Sequence, residues 1–196
     1  MKPSTGDVTL LLKKWSEGQA SAFDELVPLV YPHLRHIAAG YVHREQNPDV
    51  FEPTVLVHEL YLRLLKQREP GWEDRRHFYI FCARMMRMIL IDQARSNHAQ
   101  IRGAGYTRVP LNEDLAWVEV DSPQLLDLNR ALDELYELDP QKVQLVELRF
   151  FLGCTAEETA AVMDISKATV DRELKFVKTW LYQRIHSPAV ADSNET

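Results

Sequence analysis

The sequence predicts an all-α protein, and three observations carry that prediction. Strand patterning is nearly absent along the 196 residues. Apolar residues instead recur at helical spacing in one segment after another. Those segments are also punctuated by helix chemistry, with capping boxes at their starts and glycine or proline at their ends. The length fits one or two small domains, each able to bury a modest core.

Residues 1–6 read as a loose lead-in. Asp7 is placed to cap a helix carrying Val8, Leu11, Leu12 and Trp15, which ends near Gly18. Ser21 with Asp24 reads as a capping box for a second helix through Phe23, Leu26, Val27, Val30, Leu34 and Ile37. Pro28 and Pro32 predict a kink or break in that run. His33 and His36 stand three apart, but no carboxylate or cysteine sits at a supporting spacing, so no metal site is expected.

Pro53 and Thr54 open the next helix, PTVLVHELYLRLLK. Leu56, Val57, Leu60, Tyr61 and Leu64 form its core stripe. Glu59 and Arg63 stand at i, i+4 on the far side, where they are expected to pair. Leu62 falls among His58, Glu59 and Lys66 on the polar face, which makes it a candidate apolar centre of a partner site.

Residues 77–102 predict one long helix with Phe78, Phe81, Cys82, Met85, Met88 and Ile89 on its apolar face. Arg84, Arg87, Arg95, His98 and Arg102 fall within about 80° of one another elsewhere, at 3.6 residues per turn. That stripe runs about 27 Å at 1.5 Å per residue and suits a nucleic-acid backbone. Asp92 projects towards the apolar side, where it is expected to pair with an arginine or cap a neighbouring helix. Gly103 and Gly105 end the helix. Residues 104–123, with Pro110, Pro123 and many carboxylates, read as a linker.

Helical pattern resumes with Leu125, Leu128, Leu132 and Leu135 and stops at Asp139-Pro140. A helix over 141–152 follows, ending at Gly153. Thr155 with Glu158 is a capping box that opens a short helix, and Ser166 is placed to cap another. Val170, Leu174, Val177 and Leu181 make the apolar stripe of the last helix, while Arg172, Lys175, Thr179 and Phe176 lie away from it. The pattern is that of a helix-turn-helix whose second helix presents its start to base edges. Asp164 occupies the turn, where its side chain tolerates the left-handed region. Residues 187–196 read as a disordered tail.

Charge is segregated rather than uniform. The chain is acidic overall, with a net charge of −6. Residues 84–108 nevertheless carry five arginines against Asp92, a local net of +4, and 167–184 carry five cations against Asp171 and Glu173, a net of +3. Between them, 112–139 holds nine carboxylates and only Arg130. Two basic blocks separated by an acidic one suggest two contact surfaces. Cys82 and Cys154 imply no disulfide framework and suit a reducing cytosol. Neither a membrane span nor a signal peptide is apparent, so a cytoplasmic protein is expected.

Four blocks in this order resemble the sigma-70 family of RNA polymerase initiation factors, in the short two-domain form of the extracytoplasmic-function (ECF) group and its ECF-like subgroup. They are PTVLVHELYLRLLK at 53–66, HFYIFCARMMRMILIDQAR at 77–95, RVPL at 108–111 and ISKATVDRELKFVKTWL at 165–181. With SAFDEL at 21–26, the resemblance covers most of residues 7–185. It implies a region 2 helical bundle over 1–103, a flexible acidic linker over 104–123, and a region 4 helix-turn-helix domain over 124–186. It further implies that His58, Glu59, Leu62 and Arg63 dock the clamp helices of the polymerase largest subunit. Arg84, Arg87, Arg95, Asn97, His98 and Arg102 would hold the −10 promoter element. Lys167, Thr169, Arg172, Lys175 and Phe176 would read the −35 element. The two elements lie about two helical turns, roughly 70 Å, apart. Twenty linker residues reach about 70 Å at full stretch. Asp171 stands where the subgroup places a basic residue, and Ile101-Arg102 replaces its usual Lys-Arg.

The implied partners are core polymerase, promoter DNA and an anti-sigma factor, with a monomeric free form and no cofactor or membrane. A second reading, a helix-turn-helix regulator that does not bind core polymerase, accounts for 155–181 but leaves the arginine stripe unexplained. For an enzyme, there is no nucleophile-base arrangement, glycine-rich phosphate loop or metal set.

Overall fold

The computed structural model describes residues 5–29, 53–66, 71–100, 118 and 123–186. These residues are mostly helical, with no strand among them. The first helix, α1 (Thr5–Ser16), begins two residues before the expected Asp7 cap. It ends at Gly18, whose φ of +87° lets Gly18 N–H reach the Trp15 carbonyl and Gln19 N–H the Lys14 carbonyl. Those two bonds satisfy carbonyls that the helix end would otherwise orphan. A second helix, α2, occupies 20–29, so Ser21 sits inside its first turn rather than capping it. Pro28 is accommodated within α2, while Pro32, His33, His36 and the expected continuation to Ile37 lie outside the described residues.

Two further helices, α3 (Pro53–Leu65) and α4 (Arg75–Gln100), complete the first group. Asp74 opens α4, its carboxylate accepting the His77 N–H at 2.8 Å. Trp72 joins the helices. Its ring lies 5.8 Å from Trp15, 5.4 Å from Phe78 and 4.9 Å from Phe81, and its backbone N–H donates to Ser16 Oγ. Such tilted and edge-on pairs add a specific geometry to their apolar burial. Asp92 pairs with Arg63 at 2.9 Å. That contact fulfils the expectation for Asp92 and gives Arg63 a partner on α4.

The second group holds α5 (Pro123–Leu138), α6 (Pro140–Val146), a π-helical segment (Glu147–Phe151), α7 (Ala156–Met163) and α8 (Lys167–His186). Asp139 caps α6 through the Gln141 and Lys142 N–H groups, with Pro140 at the first helical position. The single helix expected over 141–152 therefore divides. After Val146 the turn widens, and Leu152 N–H bonds back five residues to the Glu147 carbonyl at 2.8 Å. Within this segment Glu147, Leu148, Phe150 and Phe151 are all buried.

The core runs without interruption from α1, α2 and α3 through α4 into the second group. One side of α4 faces α1 and α3, and another packs against α5, α6, the π segment and α7. The buried arc of α4 is consequently wider than the apolar pattern predicts. Ala83, Met86, Arg87, Leu90 and Ala94 are buried along with Phe78 and Cys82, whereas Met88, expected in the core, is exposed. Cys82 and Cys154 are free and buried. Desolvation pushes both thiols up, Cys154 to about 12, away from the reactive thiolate form. Of the expected linker only Val118 and Pro123 are described, and Val118 is fully buried. The tail over 187–196 lies outside the described residues.

The capping box opening α7 is complete, with Glu158 N–H on the Thr155 hydroxyl at 3.1 Å and Thr155 N–H on the Glu158 carboxylate at 2.8 Å. Replacing Thr155→Ala removes one half of this exchange. It is expected to lower stability by about 1 kcal/mol in a urea titration. An unchanged midpoint would mean that the box contributes nothing to the folded state.

Candidate nucleic-acid interface

The helix-turn-helix is assembled by local chemistry at both ends of its turn. Asp164 closes α7 in the left-handed region, at φ 56° and ψ 45°. Ser166 then caps α8, its hydroxyl accepting the Thr169 N–H at 3.1 Å and lying 2.9 Å from the Thr169 hydroxyl. Val170, Leu174, Val177 and Leu181 are buried, which locks the rotation of α8 and leaves Lys167, Arg172, Lys175 and Phe176 exposed. Phe176, 55% exposed, has the Lys142 ammonium 5.6 Å from its ring.

Acidic neighbours modulate this face. Asp171 accepts from Lys167 at 3.2 Å, one helical turn away, and Glu157 of α7 lies 3.7 Å from the same ammonium. The hydrogen bond to Asp171 is the main reason that the Lys167 pKa is raised. Glu173 accepts from Arg172 at 3.0 Å and lies 3.5 Å from Lys142, which holds its carboxyl below the usual range. Beside this face an open cleft of about 330 Å³ is lined by Arg149, Asp171, Leu174, Lys175, Lys178 and Thr179. Arg149 was not anticipated. Its only signal is a cation inside the apolar run ELRFF, and its guanidinium donates to the Cys154 carbonyl.

On α4 the expected stripe is only partly realised. Arg84 and Arg95 are exposed. Arg87 is not, being 7% exposed, and this corrects its expected place on an open basic face. It stands about 60° round the helix from Arg84, on the side covered by α5 and the π segment. Its Nε donates to Asn129 Oδ1 at 3.0 Å and its Nη1 to Glu147 Oε1 at 3.0 Å. Its Nη2 donates to the Asn129 carbonyl at 2.9 Å and to Asp133 Oδ1 at 2.6 Å. Glu147 is 3% exposed, and burial pushes its carboxyl pKa up while the Arg87 guanidinium opposes the shift. The sequence did carry one signal of this arrangement, a carboxylate within the apolar run VQLVELRFFL, which requires a buried partner. The side chains of Asn97 and His98, and all of Arg102, lie outside the described residues.

A third surface is the outer face of α3. His58 and Glu59 are exposed, Leu62 is 50% exposed, and Arg63 is partly buried against Asp92. Leu62 does not stand alone, because Val55 and Leu65 are exposed to a similar degree. Val55 and Leu62 lie two turns apart on one side of the helix.

No helix among the described residues is long and apolar enough to cross a membrane, and no group of three or more candidate metal ligands occurs among them. A family model described as ECF sigma factor matches residues 5–187 of the chain. Comparisons with curated proteins and with solved structures give no match.

Neutralising Asp171 tests whether it restrains the face of α8. Asp171→Asn is expected to raise affinity for duplex DNA. It should also steepen the dependence of log K on log salt by about 0.9, as Lys167 becomes available to one more phosphate. Anisotropy titrations at several salt concentrations give the slope, and an unchanged slope would show that Lys167 does not reach a phosphate.

Proposed function

The chain belongs to the ECF sigma factor family, which acts in transcription initiation, and on that premise we propose that it binds core RNA polymerase and directs promoter recognition. One observation carries the reading. A single family match spans both the α3 face and the helix-turn-helix, surfaces that a simple DNA-binding regulator has no reason to combine. In this reading residues 1–103 are region 2, 104–123 the linker and 124–186 region 4.

The outer face of α3 has the composition of a docking site. Half-exposed Leu62, flanked by Val55 and Leu65, supplies an apolar centre. Exposed His58 and Glu59 supply a polar rim. Apolar contacts at the centre of such a patch exclude water and dominate affinity, while rim charges set orientation. Arg63 would act chiefly by holding α3 against Asp92 of α4. On α8, Lys167, Thr169, Arg172, Lys175 and Phe176 would face the −35 element. Arginine and lysine suit guanine edges in the major groove, and the helix start is where base contacts are made. Arg84 and Arg95, with Asn97, His98 and Arg102, would hold the −10 element. The expected cellular partners are core polymerase and promoter DNA in the cytoplasm, with an anti-sigma factor as a regulator.

Run-off transcription with purified bacterial core polymerase tests the proposal. The expected result is a promoter-dependent transcript only when the chain is added; no transcript and no complex with core would overturn it. Leu62→Asp should weaken core binding by at least about 30-fold, the equivalent of a 2 kcal/mol hot spot, with an unchanged circular dichroism spectrum. If that variant unfolds instead, Leu62 supports the fold rather than a partner.

A further inference from the structure

Burial of Val170, Leu174, Val177 and Leu181 fixes the rotation of α8, but it does not fix the side chains on the open side of the helix. Arg172 and Phe176 stand one turn apart there, 72% and 55% exposed. Free rotation of either would blur base readout, because each rotamer meets a different base edge. Both are instead held from α6. The Lys142 ammonium carries three N–H donors. It faces the Asp139 carboxylate, the Glu173 carboxylate at 3.5 Å and the Phe176 ring, whose centre is 5.6 Å away. On the promoter reading of the preceding subsection, we infer that Lys142 is a positioning residue for base readout. It holds Phe176 directly and Arg172 through Glu173, and it does so without touching DNA.

The anchor is itself fixed by the backbone. Asp139 caps α6, one carboxylate oxygen accepting the Gln141 and Lys142 N–H groups at 3.1 and 3.2 Å while the other takes the Lys142 ammonium. Pro140 restricts the same turn. Lys142 and Glu173 are both partly buried, where an ion pair and a cation over an aromatic face are stronger than in open solvent. The hydrogen bond between Lys142 and Asp139 raises the lysine pKa and lowers that of the carboxyl, so the cluster stays charged at neutral pH.

Glu173 extends the hold to Arg172. One of its carboxylate oxygens accepts Arg172 Nε at 3.2 Å and Nη2 at 3.0 Å. That occupies the side edge of the guanidinium and leaves the Nη1–Nη2 end for a base. Such a fork matches O6 and N7 of guanine, and an aromatic ring suits the methyl group of thymine. Asp139 and Glu173 balance Lys142 and Arg172 in charge, so Lys142 offers phosphate little net attraction.

The test uses the full chain and a randomised duplex. Selection of bound sequences gives the preferred site. Anisotropy then measures affinity for that site and for its single-base variants, including each thymine replaced by uracil, which lacks the methyl group. The wild-type chain should lose roughly fourfold at the thymine that Phe176 meets, the scale of one buried methyl group. Lys142→Met keeps the length of the side chain and removes its charge. It should shrink that penalty to below about twofold and relax the preference for the guanine that Arg172 reads, with the salt dependence unchanged. Lys142→Arg keeps a cation over the ring and between the carboxylates, so it should restore discrimination. Glu173→Gln should relax the guanine preference. Discrimination in Lys142→Met equal to that of the wild type would overturn the inference. So would a uniform loss across all duplexes with a salt slope shallower by about 0.9, which would make Lys142 a phosphate contact. Should Lys142→Met fail to fold, an unchanged guanine preference in Glu173→Gln would overturn it. One readout needs no DNA: in the free chain, the Phe176 ring current should move the Lys142 ε-methylene proton resonances upfield. They should return in Phe176→Leu, and the absence of any displacement would overturn the inference by itself. A wild-type chain that selects no sequence would overturn the promoter reading and the inference together, a result distinct from all of these.

Discussion

The buried guanidinium of Arg87 constrains the rest of the molecule. Both helix groups pack against helix α4, and Arg87 sits where the second group closes over it. Its partners come from α5 and from the first residue of the π segment, so one side chain fixes the seating of two elements at once. The energetics are asymmetric. Deleting Arg87 while the groups stay packed would strand the Glu147 carboxylate, at a cost on the order of 3–5 kcal/mol. Separating the groups would instead hydrate both charges. The contact is therefore more sensitive to the loss of one partner than to opening as a whole.

Local chemistry was the part of the fold most legible in the sequence. Thr155 with Glu158, Ser166 before α8 and the stripe Val170–Leu174–Val177–Leu181 all follow from spacing, because each bond or contact spans four residues or fewer. Asp164 in the left-handed region was legible for the same reason. Where a feature depends on a distant element, pattern reading fell short. Met88 has the spacing of a core residue but is exposed, while Arg87 has that of a surface cation but is buried. Arg87 is covered by the second layer of helices over α4, whose position no periodicity encodes, whereas Met88 stands about 40° round the helix from exposed Arg84, at the edge of the apolar face. The π segment was equally invisible, since ELRFF is compatible with an ordinary helix.

The candidate surfaces divide in the same way. The exposed face of α8 and the exposed Leu62 were legible because a buried stripe leaves its opposite side to solvent. The salt bridges that tune those faces, Lys167 to Asp171 and Arg63 to Asp92, are unequal cases. The first lies one turn apart on a single helix. The second joins α3 to α4, adding an ion pair to the apolar packing between the proposed docking face and the proposed −10 helix.

The π segment sets the phase of everything that follows it. Its i, i−5 bond from Leu152 to Glu147 carries one residue more per closed ring than an α-helical turn. Each residue of an α-helix advances the chain by about 100°. Taking one residue out of 147–151 would regularise the helix and swing α7 and α8 round by about that angle relative to Glu147. The proposed reading face of α8 would then point somewhere else while every residue on it stayed the same. The aim of the proposed recognition helix is thus kept in part by the residue count of a five-residue segment that precedes it.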